Sequence, residues 1–120
     1  MRALLVEPGN IPEIKEISGT LESMQETVGG IIQAIYPFEE PVALVCHEEG
    51  KLIGLPMNRS LSEIGDIIFG TFFLCGAPSD SETFASLTDE QIERYQKRFQ
   101  FPDLFLPVED GVVFILTEDL

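Results

Sequence analysis

One histidine and two cysteines are the side chains in this 120-residue chain best suited to nucleophilic or metal chemistry, and two of the three are adjacent, as Cys46-His47. A thiol beside an imidazole is the pairing that generates a reactive thiolate. Here the surrounding VALVCH reads as a strand, and neighbours on a strand project to opposite faces. Adjacency therefore argues against a Cys46–His47 dyad, although Cys75, in TFFLC, could approach His47 from a neighbouring strand. Both cysteines lie in apolar runs and read as buried free thiols of a reducing compartment. A bridge between them would need their Cβ atoms about 3.5–4.5 Å apart. No CxxC, HExxH, GxSxG, phosphate-binding loop or EF-hand loop is present. No catalytic residue, metal site or cofactor is expected, and the chain reads as non-enzymatic.

The other candidate is Asn58-Arg59. Arg59 is one of four basic residues before residue 90, and a guanidinium fork suits a carboxylate or a phosphate. The plainer reading is that Arg59 pairs with a local acid such as Glu63 or Asp66 and pins its loop, with Asn58 a turn or cap residue. The candidate ligand- or partner-binding set is thus Asn58, Arg59 and His47. Glu39-Glu40 and Glu48-Glu49 are paired carboxylates at turns, where solvated acids are the ordinary reading; a cation would need further oxygen ligands.

The elements that must carry these residues follow from periodicity and breakers. Ala3 to Val6 is a first strand, turned by Pro8-Gly9-Asn10 into a second, half-exposed strand around Ile11, Ile14 and Ile17. A helix spans about 20–29, with Thr20 as N-cap, Leu21, Met24 and Val28 facing the core and Gly29-Gly30 ending it. Ile31 to Phe38 is the next strand, closed by a corner between Pro37 and Pro41. Val42 to Cys46 is a strand covered on both faces. Glu48-Glu49-Gly50-Lys51 reads as a tight hairpin with Gly50 at positive φ, and Lys51 to Leu55 as its return strand. Met57 to Gly65 reads as a loop or one helical turn. Asp66 to Cys75 is the strongest apolar run, with Gly70 at a bulge or a close approach. A loop over 76–86 is the best candidate for mobility. Thr88 to Gln91 has the spacing of a capping box and opens a second helix over about 88–99, with Ile92, Tyr95 and Phe99 as its apolar stripe. Leu104 to Leu106, Asp110-Gly111 and Val112 to Leu116 read as a final hairpin or edge strand. The class expected is α+β: one domain over 1–120, with two helices and a mixed or mainly antiparallel sheet of about five to seven strands.

Seven basic residues face 21 acidic ones, a formal net charge of -14. Such a surface repels phosphate, so nucleic-acid binding is disfavoured; the plain reading is a soluble, self-repelling monomer or small oligomer, and the sharper one is a partner with a basic surface or mimicry of a polyanion. No run approaches the length of a membrane span. The apolar run after Arg2 is cut by Glu7 and Pro8, too soon for a secretory signal. A cytoplasmic location is expected.

The stretch GTLESMQETVGGIIQAIYPFEEPVALVCHEEGKLIGLPMNR, followed by DIIFGTFFLCG, resembles the domain of unknown function 3846 family of small bacterial, gut-metagenomic, phage and mobile-element proteins. The likeness rests on Ala3 to Val6, Gly29-Gly30, Tyr36-Pro37-Phe38, Val42 to Cys46, Glu49-Gly50-Lys51, Gly54-Leu55-Pro56, Asn58-Arg59 and Gly70 to Phe73, with Leu87 to Gln91 similar as well. The resemblance implies a genetic setting, often a mobile element, sometimes near anti-restriction functions, and supplies no activity and no catalytic residue. Three functions are then weighed. The first is a regulatory or interaction module, for example an inhibitor of a host defence factor. The second is a small-molecule-binding domain or minor enzyme with a pocket near Asn58 and Arg59. The third is a structural homo-oligomer.

Overall fold

A computed structural model describes residues 1–109 and 111–116. Its centre is a five-stranded sheet in the order β2-β1-β7-β4-β3, built from β1 (Arg2–Val6), β2 (Glu13–Glu16), β3 (Ile32–Ile35), β4 (Val42–His47) and β7 (Phe72–Gly76). Every pairing in it is antiparallel. Two helices, α1 (Leu21–Val28) and α2 (Asp89–Arg98), and two further hairpins, β5 (Met57–Leu61) with β6 (Asp66–Phe69) and β8 (Asp103–Val108) with β9 (Gly111–Leu116), complete the α+β architecture.

The three central strands are apolar on both faces because both faces are covered. Leu4, Val6, Val42, Leu44, Cys46, Phe72 and Leu74 point toward α2 and the β5–β6 hairpin, and meet Leu61, Ile68, Ile92, Tyr95 and Phe99 there. Ala3, Leu5, Ala43, Val45, Phe73 and Cys75 point the other way, onto Met24 and Val28 of α1. Cys46 and Cys75 therefore lie on opposite faces, and both are free thiols.

Both helices begin where local chemistry places them. The Thr20 hydroxyl accepts from the Ser23 N–H, and Gly29 closes α1 at φ 85°. Thr88 and Gln91 form the reciprocal capping box of α2. Leu21 departs from its expected place: it is exposed, because the first turn of α1 overhangs the core that Met24 and Val28 enter.

Three readings of the middle of the chain are corrected. Gly50 has no positive φ, and Lys51 to Leu55 forms turns and not a return strand; Gly54 is the residue in the left-handed region. Gly50 is required for a different reason, since a Cβ there would stand 2.7 Å from the Phe69 carbonyl oxygen. Met57 to Leu61 is a buried strand and neither loop nor helical turn. Its polar Asn58-Arg59-Ser60 hides the apolar alternation by which a strand is recognised. Asp66 to Cys75 is two strands in two sheets. Gly70, at φ 84°, turns the chain from the hairpin into the main sheet, and a Cβ there would meet the Leu55 side chain, so the close approach is real while the bulge lies at Asn58. The expected final hairpin is present as β8–β9; Asp110 of its turn lies outside the described residues. No helix among the described residues is long and apolar enough to cross a membrane.

Candidate functional site

Asn58 and Arg59 are each 1% exposed. The bulge in β5 between Met57 and Arg59 breaks strict alternation and turns both side chains into the interior. Asn58 Nδ2 donates to the Val6 carbonyl at 2.9 Å and the Gly70 carbonyl at 2.8 Å, tying the end of β1 to the link between β6 and β7. Arg59 Nη1 donates to Asn58 Oδ1 at 2.9 Å and more weakly to the Asn58 carbonyl at 3.4 Å. Nη2 donates to the carbonyls of Asn10 at 2.5 Å and Phe99 at 3.0 Å, and Nε to Phe99 at 3.4 Å. A guanidinium has five N–H donors, so these five bonds use all of them. Because Phe99 is the C-cap of α2, the cation also sits where the helix dipole is negative. Burial lowers the Arg59 pKa, with the charge of Asp103 opposing it; a guanidinium so placed stays charged.

The expected partners of Arg59 are otherwise engaged. Glu63 pairs with Arg98 at 3.0 Å, and Asp66 pairs with Lys51. Asp103 instead takes the Ser60 N–H at 2.6 Å and its hydroxyl at 2.8 Å, which clamps β5 to β8. Asn58 and Arg59 form an internal knot and present no donor at a cleft mouth.

His47 is separate from that knot. It lies at the end of β4, half-buried, with Nδ1 accepting the Glu49 N–H at 3.0 Å and the ring packed against Gly30, where a Cβ would collide with it. Cys46 is on the other face, as strand alternation requires. Burial, aided by the charge of Asp66, raises the Cys46 pKa to about 11, and burial raises that of Cys75 to about 12. Neither sulfur is an available thiolate at neutral pH. No group of three or more His, Cys, Asp or Glu among the described residues is arranged to hold a metal ion.

A family model described as "Domain of unknown function (DUF3846)" matches residues 1–100. The chain belongs to this family. Neither the curated proteins nor the solved structures give a match. The DUF3846 span holds the main sheet, both helices and the whole knot from Asn10 to Phe99, and leaves the β8–β9 hairpin outside it.

Of the open features among the described residues of that span, two border groups already met, Glu40 with Arg98 and His47 with Lys51. A groove of about 850 Å3 runs between Phe38 and α2. Its charged groups are internally matched: Glu40 accepts from Gln91 at 3.1 Å, Tyr95 at 2.7 Å and Arg94, while Arg98 holds Glu63. Burial works to raise the Glu40 pKa, but these hydrogen bonds outweigh it and hold the carboxyl below the usual glutamate value. The second feature is a cleft of about 350 Å3 between the β3–β4 end of the sheet and the β6 hairpin. Its lining includes Gln33, Ile35, His47, Lys51, Leu52 and Ile64. Leu52 is 86% exposed, and Ile53 and Ile64 are exposed beside it. Sequence reasoning grouped His47 with Asn58 and Arg59, neither of which lines this cleft; Gln33, Leu52 and Ile64 drew no notice, because they are ordinary residue types whose exposure only the fold reveals.

Proposed function

We propose that this DUF3846 protein is a non-enzymatic interaction module whose acidic surface recognises a partner that bears a basic surface. The observation that carries this reading is how unevenly the charged and reactive groups are used. Arg59, Asn58, Cys46 and Cys75 are spent inside the fold, while between Glu16 and Glu93 the chain has only two basic residues, Lys51 and the buried Arg59. Apart from Lys51, the charged groups that face outward over that long stretch are acidic, which attracts cationic partners and repels nucleic acid. The finer form of the proposal is a regulator encoded by a mobile element, an inhibitor of a host defence factor, acting in a reducing cytoplasm where both thiols persist.

Affinity capture from a bacterial lysate at about 50 mM and about 500 mM salt tests the proposal, since surface electrostatics fade as the screening length shortens. A basic protein retained at low salt and released at high salt is the expected result. Retention only of salt-insensitive partners, or of none, overturns it. The small-ligand alternative now attaches to the cleft beside His47, because Asn58 and Arg59 are enclosed. A ligand-induced rise in melting temperature lost in His47→Ala would favour it.

A further inference from the structure

The two edges of the main sheet are built differently. β2 reads Glu13-Ile14-Lys15-Glu16, three charges in four residues and all exposed, the pattern by which edge strands are protected from pairing. β3 reads Ile32-Gln33-Ala34-Ile35, with no charge. It is flanked by Ile31 and Tyr36, 52% and 62% exposed.

The ladder fixes which backbone groups of β3 are free. Glu48 N–H donates to the Ile31 carbonyl at 2.8 Å, and the register runs on through Gln33↔Cys46 and Ile35↔Leu44. Antiparallel bonding alternates, so Ile31, Gln33 and Ile35 turn their N–H and C=O toward β4. Ile32 and Ala34 turn theirs outward, and β3 is the last strand in the order. The side chains of Gln33 and Ile35 line the cleft that Leu52 and Ile64 flank.

We infer that the outer edge of β3 is a docking site for an extended, lysine- or arginine-bearing segment of another protein, added as a sixth antiparallel strand. The inference rests on the proposed interaction role and names its surface. Strand addition takes affinity from the main chain and specificity from alternate side chains. Here the outward N–H and C=O of Ile32 and Ala34 supply the main-chain bonds. Partner side chains opposite Gln33 and Ile35 fall on the cleft side, where exposed Leu52 and Ile64 offer apolar contact beside the carboxylates of Glu48 and Asp66. The flanks select charge. Glu48 and Glu49 stand exposed at one end, Glu39 at the other and Glu26 on α1, and the one exposed base nearby, Lys51, is already paired with Asp66. A second copy of the chain would bring the same acids and a net charge of -14 against them, which disfavours self-pairing.

The test uses the full chain, 15N-labelled, with the blocked peptide (Lys-Val)4 as probe and (Glu-Val)4 as control. Binding of the lysine peptide is expected to shift the amides of Ile32, Ala34 and Tyr36 and to slow exchange at Ile32 and Ala34. The glutamate peptide is expected to leave the spectrum unchanged. Ala34→Pro removes one outward donor without touching the β4 ladder, and is expected to weaken binding at least tenfold with the spectrum otherwise native. Gln33→Lys, an exposed edge lysine, is the second variant should the proline disturb the fold, and is expected to weaken it likewise. Binding that both variants leave intact, or shifts confined to other surfaces, overturns the edge inference while leaving a basic partner in place. Absence of any binding by the lysine peptide, with a salt-releasable basic protein still captured from lysate, overturns it in the same way. Self-association by light scattering that Ala34→Pro abolishes overturns it in favour of a second copy.

Discussion

The knot around Arg59 and the edge at β3 are opposites in how they treat polar groups. In the knot, five guanidinium donors meet five acceptor contacts, and the acceptors come from three separate places: Asn58 beside it, Asn10 after β1 and Phe99 at the end of α2. At the edge, the backbone of Ile32 and Ala34 turns away from β4, with no further strand beside it among the described residues. Polar satisfaction inside the fold gives rigidity; polar groups left paired only with water can exchange that water for a partner. A conspicuous residue type is therefore poor testimony about binding. The arginine holds the protein together, and the strand with nothing chemically notable is where another chain can add.

Removing the arginine should have the largest effect. In Arg59→Leu, the Phe99 carbonyl and the Asn58 side-chain oxygen stay buried and lose their donor, while the Asn10 carbonyl, on an exposed residue, can turn to water. Breaking one side of a buried charged network costs about 3–5 kcal/mol, a large share of the stability of a small domain. Urea unfolding should show a midpoint far below wild type, or no cooperative transition. If Arg59→Leu instead unfolds normally and loses partner binding, the comparison is reversed and Arg59 is a recognition residue.

Gly50→Ala should come next. Its Cβ would stand 2.7 Å from the Phe69 carbonyl oxygen and 3.4 Å from the Phe69 Cβ, so backbone must shift, at about 1–3 kcal/mol. The same substitution at Gly111, where a Cβ meets nothing within 4 Å, serves as the control, and the difference between the two melting temperatures is the measurement.

The bonds around Glu40 should give a smaller, pH-dependent effect. Its folded pKa is lowered relative to the unfolded chain. Its contribution is thus fully present above the unfolded glutamate value, about 4.3, and is lost as pH falls through the folded value. Glu40→Gln should lower stability by about 1 kcal/mol at pH 7. The gap to wild type should shrink steadily between about pH 5 and the acid limit. A gap that stays constant with pH would mean that shape, and not charge, holds α2 to the β3–β4 corner.

These effects also show what could be read from sequence. Both helices were legible because a cap is local: Thr20 with Gly29, and Thr88 with Gln91, carry the signal within a few residues. The central strands were legible because they are apolar on both faces. β5 was not, since Asn58, Arg59 and Ser60 are paid for by Val6, Asn10, Phe99 and Asp103, all distant along the chain. Gly50 was seen as necessary, yet for a turn; its reason is Phe69, brought close only by the fold. His47 was correctly placed at a strand end, and the cleft it borders could not be inferred because Leu52 and Ile64 look like core residues on paper. The open edge was equally hidden: strand order decides which strand is last, and no local pattern states strand order.

The smallest effect belongs to the free protein and checks the edge directly. In β3, amide exchange should alternate with the ladder. Gln33 and Ile35 donate toward β4 and should be protected, whereas Ile32 and Ala34 face water and should exchange on the order of tenfold faster or more. Tyr36→Ser at the end of the strand should alter unfolding free energy by no more than about 0.5 kcal/mol, because its exposed ring supports nothing in the core. Uniform protection across the four residues would mean that the edge is already covered in solution, and then neither a basic segment nor any other strand has a vacancy to fill. Alternation with unchanged stability would mean that the fold leaves this edge open at no cost to itself, the condition under which a surface can be kept for a partner.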